Sequence, residues 1–302
     1  MSDIEMRFHK DILVLSAPPD ETMRRYQADP ELDRELFNLI EPETLNDIMR
    51  FEQMAGAQCL VTCTEGITRA RLAHQRFEEQ SGEIAQAALA IAAGLSPQHI
   101  IADIGSTRLP IDPASKSSLR QSRDQYAQAA RDFGEEGFDA FLLDDLGSIA
   151  DLKCGLMGVR MVTDKPLMVT VPVDADGNLV GRGEPFSEAL TVMTDLGADV
   201  VGFTTASPLA RVLSLVKQTA EETDLPILVQ LVVGEHDEHD IKPGFRPVIA
   251  TENNPYRTTD AVFEAAPQLI KAGVQFLRAV GKATAAYTGS LAVGATGLDA
   301  VR

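Results

Sequence analysis

Eight short apolar, β-branched runs recur along the chain, at 12–17, 58–64, 99–105, 140–146, 166–173, 199–205, 226–233 and 274–280. Most are near-continuous in Ile, Val and Leu, without polar alternation. That is the pattern of strands covered on both faces, as in a parallel sheet. Each gap between runs carries apolar residues at helical spacing. Between the fifth and sixth runs, Phe186, Leu190, Met193 and Gly197 fall on one helix face, with Glu184-Pro185 placed at the first turn.

The punctuation repeats. Gly56, Gly137, Gly197 and Gly273 precede the second, fourth, sixth and eighth runs, where a left-handed residue closes a helix. Pro97, Pro166 and Pro226 precede or open the third, fifth and seventh, where a helix cannot easily continue. The alternation suggests four copies of a double βα unit. Eight such units close a barrel, whereas an open doubly wound sheet usually has fewer strands. The expectation is therefore an α/β chain folded as one (β/α)8 TIM barrel over residues 1–302, with no linker or low-complexity tract. The gaps before the second and eighth runs are longest and predict extra loops or helices there.

Composition narrows the function classes. A hydrophobic share of 44% supports a sizeable core. A net charge of −18 argues against nucleic acid and anionic membranes as partners, because phosphates would be repelled over most of the surface. The polar start MSDIEMRFHKD is unlike a signal peptide, and no apolar run reaches the roughly 20 residues that span a bilayer. Cys59, Cys63 and Cys154 form no disulfide framework, which suits a reducing cytoplasm.

Barrel active sites lie at the carboxyl ends of the strands. Those tips carry Ser16, Thr62, Cys63, Thr64, Glu65, Asp103, Ser106, Asp144, Asp145, Asp174, Thr204, Thr205, Glu235, His236, Arg278 and Lys282, a lining suited to a small polar substrate. Strand parity puts Arg278 and Lys282 on one face if the last strand extends that far, giving a site for a carboxylate, a phosphate or a thiolate. Outward-turned cations paired with acidic helices are the alternative. Cys63, between two threonines, is a candidate nucleophile or a small buried hydrophobe, while Cys59 and Cys154 read as core. Asp103, Asp144 and Asp145 suit acid/base work or an ammonium group, or else cap the helices that follow. The stretch 234–240, with His236 and His239 among carboxylates, is a divalent-metal candidate or an exposed acidic loop. Asp174 to Asn178 reads as a turn. Walker, GxSxG and HExxH motifs are absent from the sequence.

One family resemblance covers nearly the whole chain, roughly residues 10 to 290. The segment from Asn38 through Pro42 to Ile48, then Ala55-Gly-Ala, Thr62-Cys63-Thr64 and Arg69-Ala-Arg-Leu-Ala, resembles the opening of the homocysteine S-methyltransferase family. Ala102-Asp-Ile-Gly-Ser-Thr resembles its third strand tip, and Gly137-Phe-Asp-Ala-Phe-Leu-Leu-Asp-Asp its fourth strand. Asp176-Gly-Asn-Leu with Glu188-Ala, Gly197-Ala-Asp-Val-Val-Gly-Phe and Tyr256-Arg-Thr-Thr-Asp-Ala-Val-Phe follow in the same order. The resemblance implies a (β/α)8 barrel that methylates a homocysteine thiolate held on zinc by three cysteines, one after strand six and an adjacent pair after strand eight. A metal favours the deprotonated thiol and so supplies a nucleophile at neutral pH. Here those positions read Thr205, Val280 and Gly281, and no cysteine follows Cys154. The family's Asp-Gly at the first tip reads Ser16-Ala17, its Glu-Thr-Asn at the second reads Val61-Thr62-Cys63, and its acid at the fourth is Asp144.

The combined expectation is a methyltransferase acting on a small polar substrate without the three-cysteine zinc site and with no resident metal. Asp144, Asp103 and Cys63 are its catalytic candidates. Thr62, Thr64, Glu65, Thr204, Thr205, Arg278 and Lys282 are its substrate-binding candidates. The methyl carrier implied is a folate, an S- or N-methylated compound, or a separate corrinoid protein as partner. The rival expectations are a non-catalytic ligand-binding or regulatory barrel, and an enzyme of changed chemistry, such as a lyase or hydrolase, that uses the carboxylates.

Overall fold

A computed structural model describes residues 4–26, 32–234 and 254–302. Its eight strands are β1 (Leu13–Val14), β2 (Cys59–Val61), β3 (His99–Gly105), β4 (Ala140–Asp144), β5 (Leu167–Pro172), β6 (Val200–Thr205), β7 (Ile227–Val233) and β8 (Val274–Gly281). All paired strands are parallel, in the order β1-β8-β7-β6-β5-β4-β3-β2, and a parallel bridge between Leu15 and Cys59 closes the ring. One long helix follows each strand: α1 (Pro42–Ala55), α2 (Ser81–Gly94), α3 (Lys116–Phe133), α4 (Ile149–Arg160), α5 (Phe186–Asp195), α6 (Leu209–Glu222), α7 (Thr259–Ala272) and α8 (Ala285–Ala295). The chain is a (β/α)8 barrel. No described helix is long and apolar enough to cross a membrane.

Strands β3, β6 and β7 fall within a residue of the apolar runs, but β1 and β2 are far shorter than 12–17 and 58–64. Side chains take over the ladder there. Gln58 Oε1 accepts from Val14 N at 2.8 Å, and Ser16 Oγ accepts from Val61 N at 2.9 Å. Gly56 (φ 114°) and Gly273 (φ 113°) do close α1 and α7 in the left-handed conformation. Gly137 does not close a helix: α3 already ends at Phe133 and is capped by Gly134. Pro185 is the residue before α5, not part of its first turn, and Phe186, Ala189, Leu190, Val192 and Met193 form the buried stripe. The gap before β2 holds short extra helices at Asp20–Tyr26 and Phe37–Ile40, as its length predicts.

Side chains alternate across each strand, so positions two apart share a face. Outward-facing residues such as Val169, Phe203, Val229 and Leu277 pack under the helices in one large core. Inward-facing residues form a separate apolar plug low in the barrel, including Leu13, Cys59, Ile101, Leu142, Met168, Val200, Leu228 and Phe276. Ile4 and Phe8 seal it from below, with the Phe8 ring edge-on to Phe276 at 5.8 Å. Two residues further along β3, β4, β5, β7 and β8, the inward positions become polar: Asp103, Asp144, Thr170, Gln230 and Arg278.

Candidate functional site

Above the plug, Arg278 of β8 is 2% exposed and spans the barrel interior. Its Nε donates to Ser16 O at 3.0 Å, and its Nη1 donates to Asp144 Oδ2 and Gln230 Oε1, both at 3.1 Å. Nη2 faces Asp103 Oδ2 at 3.9 Å, beyond hydrogen-bond reach. Gln230 of β7 is fully buried, and its Nε2 donates to Asp144 Oδ1 at 2.6 Å, to Thr170 Oγ1 at 3.0 Å and to Thr204 Oγ1 at 3.2 Å. Thr170 Oγ1 donates in turn to Asp144 Oδ1 at 2.7 Å. Register explains the meeting: Gln230 lies beside Arg278 on one side and Thr204 on the other. A buried charge pair survives only when its remaining lone pairs and protons are satisfied, and Asp144 has donors on both oxygens.

Asp103 of β3 is the exception. It is buried, yet its Oδ1 has no hydrogen-bond partner among the described residues. Burial, and next the Asp144 charge, push its carboxyl well above the usual range, against the pull of Arg278. Its backbone is held firmly. Thr62 Oγ1 accepts from Asp103 N at 3.0 Å, and Thr64 Oγ1 donates to Asp103 O at 2.8 Å. Because the Thr64 hydrogen is spent there, Thr62 is the donor across the 2.6 Å Thr62–Thr64 contact.

Arg278, Gln230, Asp144, Thr204, Asp103, Thr62 and Thr64 line a cavity of about 150 Å³ at the barrel mouth, together with Cys63, Glu65, Asp145, Arg34, Arg108, Val232, Val280 and Gly281. Its rim is ionic. Arg34 bridges Asp20 and Glu65, Arg71 meets Glu65 at 2.8 Å, and Arg108 Nη2 lies 3.8 Å from Glu65. Arg108 holds a left-handed backbone (φ 54°), and burial, with Arg71 nearby, pulls its pKa down to about 10.

The candidates from sequence separate accordingly. Asp103, Asp144, Thr62, Thr64, Cys63, Glu65, Thr204 and Arg278 come together around the cavity. Cys63 donates to Arg34 O at 3.5 Å, and burial keeps it well above the usual thiol range, so it is a protonated thiol and not a ready nucleophile. Thr205 is not part of the lining, because its hydroxyl donates to Ser207 Oγ at 2.9 Å and accepts from Ser207 N at 3.1 Å. Lys282 also stands apart from the lining. The parity that paired it with Arg278 fails because β8 ends at Gly281 (φ 76°), and the Lys282 stem turns against Gly234. Cys59 and Cys154 are core residues. Asp174 Oδ1 accepts from Asp176 N and Asn178 N, both at 2.9 Å, as its turn reading requires. Glu235, His236 and His239 lie outside the described residues.

Gln230 and Thr170 escaped the sequence reading, which examined strand tips only. The available signal was a lone amide within the apolar run Ile227-Leu-Val-Gln-Leu-Val-Val, since an amide there must be buried and therefore bonded. Arg34 and Arg108 lie off the strands and gave no such signal.

The three positions at which the resemblance implies zinc-bound thiolates do not fit that metal. Thr205 is engaged with Ser207, Gly281 has no side chain, and Val280 packs with Ala206 and Val232 in a small apolar cluster. Among the described residues no three His, Cys, Asp or Glu side chains gather as a metal site.

The chain is 24% identical over 209 residues to methionine synthase of Mycobacterium tuberculosis, and 25% identical to that of Mycobacterium leprae. Each match covers 65% of this chain but only 17% of the relative, so the chain spans about a sixth of those proteins. The fold superposes on the homocysteine methyltransferase MmuM of Escherichia coli: on its metallated form with a TM-score of 0.69 at 13% identity, and on its oxidized form with 0.71 at 15%. The metallated match covers 93% of this chain and 96% of MmuM. The family model for homocysteine S-methyltransferase matches residues 19–291, and the chain belongs to that family.

Proposed function

We propose that the chain is a methyltransferase that takes a small polar thiol into the barrel mouth and methylates it without a zinc-bound thiolate. The observation that carries this reading is Arg278, a buried cation facing two carboxylates at the carboxyl end of a barrel of this family. Its Nη2 and the Asp103 carboxyl edge offer a polar pair to a ligand, while Asp144, Gln230 and Thr170 hold the guanidinium in place. Thr62 and Thr64 act by positioning Asp103. The Arg34–Glu65–Arg108 rim suits the charged end of an amino-acid-like substrate. The methyl donor is a sulfonium, an ammonium or folate compound, or a separate corrinoid protein.

The test is incubation with L-homocysteine and isotope-labelled methyl donors of these classes, with labelled methionine followed by mass spectrometry. Transfer from at least one donor, at a rate indifferent to chelators, is expected. Transfer abolished by chelation and restored by zinc would return the metal mechanism. A second reading, a barrel that binds a ligand without turnover, draws on the mutual saturation of Arg278, Asp144, Gln230 and Thr170. Thiol binding with no transfer from any donor would favour it.

A further inference from the structure

Methylating a thiol releases a proton. Free thiols titrate near ~8.5, so at neutral pH most of the acceptor still carries that proton. Without a thiolate-bound metal, the chain must supply another group to take it. The acidic side chains of the cavity floor and rim are Asp20, Cys63, Glu65, Asp103, Asp144 and Asp145. Asp144 is saturated: Oδ1 accepts from Thr170 and Gln230, and Oδ2 from Arg278. Those three donors already occupy both of its oxygens. Glu65 is held by Arg34 and Arg71. Cys63 is itself a buried, protonated thiol. Asp103 combines a lining position, near-complete burial and an oxygen with no hydrogen-bond partner among the described residues with a guanidinium edge, Arg278 Nη2, 3.9 Å from its carboxylate.

We infer that Asp103 Oδ1 is the proton acceptor of the methyl transfer, with Arg278 Nη2 beside it holding the sulfur as it becomes a thiolate. The inference rests on the thiol-methyltransferase reading above. In the step, the S–H bond breaks, its electron pair stays on sulfur and the proton passes to Oδ1. A sulfur pair then forms the S–CH3 bond. The donor, a methylated sulfonium or ammonium compound, leaves as the neutral sulfide or amine with the electrons of its old bond to the methyl carbon. The charged groups facing Asp103 are Asp144 of β4, Arg278 of β8, and Glu65 and Arg34 at the rim. Burial and Asp144 raise the proton affinity of Asp103 toward that of a thiol, which favours transfer between them. Thr62 and Thr64 keep the carboxyl on station through its backbone.

The test is the pH profile of kcat/KM for L-homocysteine in the wild type, Asp103→Asn and Asp103→Glu. The wild-type profile should rise as Asp103 ionises. The Asn variant should lose about 10²-fold at neutral pH, and its rate should climb only as the free thiol ionises, near ~8.5. The Glu variant should restore the lower limb. An Asn variant with the wild-type profile, at whatever activity, overturns the inference. A readout independent of turnover is the ultraviolet absorbance of bound homocysteine thiolate, with proton release measured by calorimetry in two buffers. Above the titration of Asp103, the wild type should form thiolate without releasing a proton to buffer, and Asp103→Asn should not. Thiolate that depends on Asp103 but is never methylated overturns the transfer reading and leaves the proton acceptor standing. Homocysteine bound only as the thiol in a wild type that shows no transfer, or no homocysteine binding at all, overturns both.

Discussion

Two levels of the barrel interior, a pair of residues apart on the same strands, are built on opposite principles. Phe276, Leu228, Met168, Leu142 and Ile101 form the lower level; Arg278, Gln230, Thr170, Asp144 and Asp103 form the upper. The lower level gains stability from apolar area removed from water, and it tolerates imprecision because dispersion has no direction. The upper level buries charge, which costs stability unless each donor and acceptor is met at the right distance and angle. Asp144, Gln230 and Thr170 are met; Arg278 Nη2 and the Asp103 carboxyl stand 3.9 Å apart, beyond hydrogen-bond reach. The strand backbone is common to both levels, so the change from stability to chemistry lies entirely in side-chain identity at alternate positions.

The sharpest way to break this comparison is Arg278→Ala. It leaves Asp144 buried without its cation and should destabilise the fold by about 3–5 kcal/mol, read by urea unfolding, with methyl transfer abolished at temperatures where the protein stays folded. Phe276→Ala should cost a similar ~3–5 kcal/mol but leave kcat/KM nearly unchanged under folding conditions. Equal loss of activity in both variants would erase the distinction between the levels. Gln230→Leu should come next, at roughly 1–3 kcal/mol, because Asp144, Thr170 and Thr204 each lose a partner while volume is kept. Its signature should be a fall in kcat larger than any rise in KM.

On stability, Asp103→Asn gives the smallest effect and the opposite sign. The folded carboxyl titrates above its unfolded value of ~3.9. The native state therefore holds its proton longer, and the stability this carboxyl contributes, complete below the unfolded value, is lost as pH rises through the folded one. Asparagine does not titrate. The variant should melt higher than the wild type at neutral pH, with the gap closing toward about pH 4. A gap that stays constant with pH would mean that folding leaves the proton affinity of Asp103 unchanged.

The sequence carried the strands well because parallel strands buried on both faces are apolar throughout, and β3, β6 and β7 follow their apolar runs closely. It misjudged the ends of β1 and β2, where Gln58 and Ser16 side chains replace backbone partners. The tip rule located Asp103, Asp144 and Arg278, because strand ends are readable from pattern. It could not locate Gln230, which looks like an interruption of β7 until its neighbours on β5, β6 and β4 are in place. Lys282 was misplaced because one left-handed glycine cancels an alternation that letters alone suggest. The ionic rim of Arg34, Arg71 and Arg108 depends on loop paths that no periodicity encodes.

The hydrogen bond from Arg278 to Ser16 spans 262 residues of chain, nearly the largest separation the fold contains. On a ribosome adding about 5–20 residues per second, the first, third and fourth strands wait many seconds for β8. Until then Asp103 and Asp144 face each other without their cation, on a sheet that has not closed. The last strand thus brings both the seam and the counter-charge. Ring closure and charge neutralisation should occur as a single late event, and ligands of the mouth should stabilise only the product of that event.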